Sequence, residues 1–204
     1  MPNTSAVYAT LATIAYPIFR MKLEPIVGAE YLPETGPYIL AANHVDWLDG
    51  FYVAAAVDSV RHIPVHFLTA SNNYWWTTIA VQIPEQKSEI IPQVVNELRA
   101  GKVICNFPEG KRNNEPQLLP GKTGTVRMAV EARVPIIPVG IQVAYGKNMG
   151  ESISHLLSTA DRVKISFGPS ISIHLPPGEI SNDALNHETA RVMQAIAPLC
   201  GKHM

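Results

Sequence analysis

Three short apolar runs, at residues 37–42, 102–107 and 134–143, constrain what this chain can fold into more than any other feature. Each is too short for a typical helix and reads as a strand, with the middle run buried. The last run contains Pro135 and Pro138, which suits a strand whose ends lack ladder partners. Between the runs the spacing turns helical. Residues 48–60 predict a helix with Ala54, Ala55 and Ala56 in its middle. Ser88 can cap a second helix, in which Ile91, Val94, Val95 and Leu98 share one side and Gly101 marks the end; residues 123–133 predict a third. Further strands are expected at 22–29, 62–69, 162–167 and 170–175, and a short aromatic helix or loop at 72–80. Residues 181–199 predict an amphipathic helix with Leu185, Val192, Ile196 and Leu199 inward. Alternating elements of this kind assemble most economically as one α/β domain, a mixed, mostly parallel sheet flanked by helices. At 204 residues the chain can bury about 70% of the surface its unfolded form exposes, and no second domain is needed.

Charge narrows the function classes. A formal net charge of -1, with no long Lys/Arg run, leaves no electrostatic footprint for nucleic acid. Only 16% of residues are charged, against roughly 25% in an average domain. That deficit points to extra apolar surface on a membrane or an acyl chain, or to a core crowded with small apolar residues. Cys105 and Cys200 lie far apart, without the spacing of a zinc site, and suit a reducing compartment. Cys105, in the apolar run Val103-Ile104-Cys105, reads as a buried, inert thiol.

No charged side chain occurs from Met1 to Phe19, where Val7, Leu11, Ile14 and Ile18 recur at helical spacing as one apolar stripe. Thr10, Thr13 and Pro17 interrupt a run already shorter than the about 20 apolar residues of a spanning helix. No basic stretch precedes it, as one would in a secretory signal. Residues 1–22 are therefore expected to form an apolar helix lying in the membrane plane as an anchor, with packing on the domain as the alternative. Trp75 and Trp76 form a second aromatic candidate for a membrane interface or an acyl groove, and core packing is the alternative for one of them.

Two short runs carry the chemistry. A hydroxyl is a poor nucleophile at neutral pH and needs a nearby base, for which the imidazole of His44 is suited. Asp49, five residues on, can fold back to fix the tautomer of His44 and stabilise its imidazolium. Asp46 competes for that role, although an Asp just ahead of an apolar helix is commonly an N-cap; Asp49 is favoured as orienter and Asp46 as cap. Phe107-Pro108-Glu109-Gly110 closes a buried strand and opens a loop. Ligands of open α/β sheets bind beyond the carboxyl ends of the strands, where His44 is also expected.

Asn43-His44 with Asp49 after four intervening residues, Phe107-Pro108-Glu109-Gly110 with Arg112, and Val134-Pro135-Ile136-Ile137-Pro138-Val139 follow one another in that order. Ile83-Pro84-Glu85-Gln86-Lys87 falls between the first two. This arrangement resembles the four-block signature of the 1-acyl-sn-glycerol-3-phosphate acyltransferase family, over roughly residues 20 to 145. The resemblance implies the family's glycerolphosphate-acyltransferase-like fold, with residues 23–204 as the acyltransferase domain. It implies that His44 takes the proton of a lysophospholipid hydroxyl, which attacks an acyl-CoA or acyl-carrier protein thioester with no acyl-enzyme and no metal or other cofactor. Glu109 and Gly110 would then shape the acceptor site, and Arg112 with Lys87 would bind its phosphate. Lys122, before a glycine and a helix, would add a cation at a helix N-terminus. The partners implied are a lipid acceptor, the acyl donor and a membrane surface, at the cytoplasmic face.

The chain departs from the family pattern at three positions. Asp46 stands where Ser is common, Lys87 replaces the usual Arg and lacks its bidentate fork, and Lys111 replaces a frequent Thr. Two rival motifs are absent. Gly121-Lys122-Thr123 has Pro116 where a P-loop needs glycine, and no Gly-x-Ser-x-Gly hydrolase elbow occurs.

Overall fold

The computed structural model describes residues 4–69, 81–82, 89–175 and 181–204. Among these described residues there are six strands, β1 (Tyr38–Ala42), β2 (Val65–Thr69), β3 (Val81–Gln82), β4 (Val103–Asn106), β5 (Ile136–Gln142) and β6 (Lys164–Phe167). They form one sheet in the order β3-β2-β4-β1-β5-β6, parallel except for the antiparallel β5–β6 pair. β1 is central, with Ile39 opposite Ile104 of β4 on one side and Ile136 of β5 on the other.

Because side chains alternate across a strand, β1 feeds two cores. Tyr38, Leu40 and Ala42 join the layer of α3 (Asp49–Arg61). Ile39 and Ala41 join the layer of α4 (Ile90–Arg99), α5 (Gly124–Ala132) and α7 (Asn182–Cys200). Burial on both faces explains why these strands are continuous apolar runs. In α3, Ala54, Ala55 and Ala56 are fully buried. In α7, Leu185, Val192 and Ile196 face inward, joined by Met193 and Cys200.

The N-terminal segment is helical but its register shifts. α1 (Thr4–Thr10) passes into a wide π turn at Leu11–Ala15 and then into α2 (Tyr16–Arg20). The π turn spends an extra residue, so the buried series runs Val7, Leu11, Tyr16, Phe19. Ile14 and Ile18, expected on the same stripe as Val7 and Leu11, are rotated outward, and Ile14 is 66% exposed. Phe19 stacks on Phe51 and meets Tyr52 edge-on, which seats α2 against α3. The buried carboxylate of Asp58 accepts from the Tyr8 hydroxyl and pairs with Arg20, tying both short helices to α3.

Two expected strands are not strands. Residues 22–29 make only isolated bridges, Leu23 to Val163 and Val27 to Ser166, and end in a 3-10 turn at Ala29–Tyr31. Pro25 lacks an N–H, and Gly28 turns left-handed with its backbone against the Phe167 carbonyl, so no ladder can extend. Residues 170–175 pair only through Ile171, opposite Ile136. Pro138 and Pro169, between that bridge and β6, have no N–H to continue it.

One helix escaped the sequence expectations. α6 (Met149–Leu157) is capped by Asn148, whose side chain accepts from the Glu151 N–H, while Glu151 accepts from the Lys147 N–H. This reciprocal capping was legible as Asn-x-x-Glu at 148–151. The expected element at 72–80 with Trp75 and Trp76, and the proposed cap Ser88, lie outside the described residues.

Candidate active site

The carboxyl ends of β4, β1 and β5 lie side by side, and each delivers part of one crevice. Asn43, just beyond β1, is fully buried; its amide donates to the Ile141 carbonyl and accepts from the Ile141 N–H, which locks the end of β1 to β5. His44 comes next. Its Nδ1 lies 2.8 Å from Asp49 Oδ2. That same carboxylate oxygen accepts the backbone N–H groups of Val45 and Asp46 at 2.6 and 2.8 Å, so three donors converge on it. Burial pushes the Asp49 carboxyl above its ordinary value, against the downward pull of His44 and the two backbone bonds.

Asp46 has a different task from the one expected. α3 begins with Leu48 at its cap position and no side-chain cap. Asp46 Oδ2 closes a local turn by accepting from the Leu48 N–H. Its Oδ1 reaches 100 residues along the chain to accept from the Gly146 N–H at 3.0 Å, and also accepts from the Ser152 hydroxyl at 2.6 Å. The imidazole of His44 is paired with Asp49, not Asp46, because the loop folds so that only the Asp46 backbone faces that pair.

The loop after β4 clamps His44 from behind. Glu109 is buried, and its Oε1 accepts from the His44 N–H at 3.0 Å. Its Oε2 accepts from Asn113 Nδ2 at 2.8 Å and from the Leu119 N–H at 3.0 Å. The Asn113 N–H in turn donates to the His44 carbonyl at 2.7 Å. The His44 backbone is thus held at both its N–H and its C=O, and the Glu109 carboxylate points inward. Phe107 stacks on the His44 ring, with centroids 4.2 Å apart. Asn113 was absent from the sequence-based candidates; its place four residues after Glu109 was the available signal.

Gly110 and two cations line the mouth. Gly110 is left-handed, and a Cβ there would strike the Lys122 side chain at 2.4 Å from Nζ, so Lys122 lies directly over it. The Lys122 N–H donates to the Pro108 carbonyl at 2.9 Å, and α5 begins two residues on. Arg112 is half-buried; its Nη1 donates to the Gly146 carbonyl at 2.8 Å, and its guanidinium lies 4.0 Å from the centre of the Trp47 ring. Lys111 is exposed. Lys87 lies outside the described residues. Cys105 is fully buried on β4, where burial pushes its thiol well up, the state of a packing residue rather than a nucleophile.

An imidazole oriented by a buried carboxylate, at the carboxyl edge of an open α/β sheet and clamped by a loop that carries Arg112 and packs against Lys122, is equipped to take a proton from an acceptor that bears an anionic group. The acyltransferase family profile matches residues 25–142, more than half of the chain, and the chain belongs to that family. Mouse 1-acyl-sn-glycerol-3-phosphate acyltransferase alpha is 29% identical over 122 residues, covering 55% of this chain and 42% of the mouse protein. The Saccharomyces cerevisiae 1-acyl-sn-glycerol-3-phosphate acyltransferase is 26% identical over 208 residues, covering 80% of this chain and 68% of the yeast protein. The chain thus matches less than half the length of the mouse relative. The crystal structure of the 1-acyl-sn-glycerophosphate (LPA) acyltransferase PlsC from Thermotoga maritima shares the fold, with a TM-score of 0.62 at 18% identity over 98% of this chain and 84% of that one. Among the described residues, no helix is long and apolar enough to cross a membrane.

Proposed function

We propose that this protein moves a fatty acyl group from acyl-CoA or acyl-carrier protein to the free hydroxyl of 1-acyl-glycerol-3-phosphate, giving phosphatidic acid. The observation that carries this is the placement of the His44–Asp49 pair on one loop with Arg112, a cation fit for phosphate, on the loop that clamps it. With Asp49 accepting at Nδ1, the lone pair of His44 sits on Nε2. Nε2 takes the hydroxyl proton as the oxygen attacks the thioester carbonyl. The acyl C–O bond forms, the C–S bond breaks, and the imidazolium, stabilised by Asp49, returns the proton to the departing sulfur. Arg112 and Lys122, with Lys87 of the preceding block, hold the acceptor phosphate, and Gly110 lets the loop approach it.

A cavity of about 360 Å³ opens beside Phe107 and Lys122, and its walls of Leu68, Ile90, Ile91 and Met128 suit an apolar chain. Ile14, Ile18 and Met21 form an exposed stripe on the outer side of the N-terminal helices, adjoining Leu157. That stripe supports monotopic attachment to a membrane surface, and the proposed reaction sets it at the cytoplasmic face, where a lipid acceptor and a soluble donor meet. The test is one acyl-CoA offered with lysophosphatidic acid, another lysophospholipid, glycerol 3-phosphate or a lipid-linked sugar, with products resolved by lipid mass spectrometry. Phosphatidic acid from the wild type and none from His44→Ala is the expected result. Product on no acceptor, or wild-type turnover by His44→Ala, would overturn the proposal.

A further inference from the structure

Arg112 is held from two sides, by the loop ahead of α6 and by Trp47 of the first motif. Its Nη1 donates to the Gly146 carbonyl, Trp47 covers one face of its guanidinium, and the Tyr145 ring lies 5.8 Å away. The Gly146 peptide is itself fixed from the other side, since its N–H donates to Asp46 Oδ1. Asp46 and Ser152 are each 1% exposed, and the Ser152 hydroxyl donates to the same oxygen at 2.6 Å. A Cβ at Gly146 would come within 2.3 Å of Ser152 Oγ and 2.9 Å of Asp46 Oδ1, so only glycine lets the backbone enter this clasp. The clasp therefore runs from the loop after His44, through the start of α6, to the guanidinium.

We infer that Asp46 and Ser152 are positioning residues that hold Arg112 in its phosphate-binding pose through Gly146, making the loop ahead of α6 one wall of the acceptor head-group site. This rests on the acyl-transfer function proposed above. Arg112 follows Gly110 and Lys111 on a turn, and a long side chain there would otherwise sample many rotamers. The clasp spends one edge of the guanidinium on Gly146 and one face on Trp47. Its remaining N–H groups, which make no hydrogen bond among the described residues, are presented in a fixed direction, as bidentate recognition of a phosphate requires. A serine at position 46 would be too short to span both Gly146 and Ser152, so the clasp depends on the Asp46 carboxylate.

The experiment is a double-mutant cycle in the full-length protein, with lysophosphatidic acid as acceptor and one acyl-CoA. Asp46→Ser is expected to raise the acceptor KM about tenfold, the scale of one charge-assisted contact, and to leave kcat within about twofold. Ser152→Ala moves KM in the same direction by less. In an Arg112→Ala background the Asp46→Ser effect disappears, because Asp46 acts only through that guanidinium. Full additivity of the two changes, or a fall in kcat with KM unmoved, overturns the inference. Should Asp46→Ser fail to fold, Ser152→Ala completes the same cycle. Hydrogen exchange at residues 145–152 separates the two levels of argument. Exchange there that is unchanged by Asp46→Ser and Ser152→Ala is failure of the clasp. Inactivity of the wild type toward every phosphate-bearing acceptor is failure of the proposed function.

Discussion

Glu109 holds His44 by its backbone: Oε1 accepts the His44 N–H at 3.0 Å, while Oε2 is satisfied by Asn113 and Leu119. The second motif thereby fixes the position of the first. Removing the carboxylate deprives the part-buried N–H groups of His44 and Leu119, and one N–H of the Asn113 amide, of their acceptor, at about 1–3 kcal/mol each. Glu109→Ala should lower the urea midpoint by an amount worth at least about 3 kcal/mol and reduce kcat by about a hundredfold through displacement of the base. A variant of wild-type stability with only a raised acceptor KM would instead place the carboxylate at the substrate.

Asp49 combines a functional gain with a stability cost. Its folded-state pKa is raised by burial, so the folded chain binds this proton more tightly than the unfolded chain. The stability it contributes is full below the ordinary carboxylate range and is lost as pH rises through the raised value. The Tm of Asp49→Asn should therefore rise relative to that of the wild type as pH goes from acid to neutral. Its kcat should fall by about a thousandfold, since the imidazole loses its orienting charge. Calorimetry across pH, alongside turnover, checks both parts.

His66, buried on β2, predicts acid sensitivity away from the site. Burial, reinforced by the nearby Lys102 charge, lowers its pKa from 6.5 to about 4. Its neutral form is favoured in the fold, so stability is full above the unfolded value and is lost as pH falls from 6.5 toward about 4. The loss amounts to roughly 3 kcal/mol when complete. His66→Gln should flatten the pH dependence of the urea midpoint in that window, and an unchanged slope would contradict the assignment.

The outward stripe of the N-terminal helices predicts where the protein meets lipid. Replacing Ile14, Ile18 and Met21 together by Ser should weaken sedimentation with phospholipid vesicles at least about tenfold, since each buried apolar side chain is worth roughly 1.5–3 kcal/mol. Melting should be unchanged, because these side chains are exposed. Equal vesicle binding by the triple variant would move the attachment surface elsewhere.

Local pattern was enough for most elements. The strands at β1, β4 and β5 were legible because burial on both faces demands continuous apolar runs, and α3, α4, α5 and α7 because burial on one side demands helical spacing. Where the pattern misled, at 22–29 and 170–175, proline and glycine had withdrawn the groups a ladder needs. The N-terminal stripe misled for another reason: a π turn changes helical phase without any mark in the spacing.

By itself the sequence determined the order of the motifs, the strand ends that carry them, and the residues His44, Asp49, Glu109, Gly110, Arg112 and Lys122 as the candidate chemistry. Only the tertiary structure decided what each does. It turned Glu109 inward onto the His44 backbone, laid Lys122 over Gly110, and gave Asp46 to Gly146 and Ser152 rather than to a helix cap. The physical reason is that a motif records residue types and local spacing, whereas a hydrogen-bond partner is set by which loops the sheet brings together, here across 65 residues for Glu109 and 100 for Asp46.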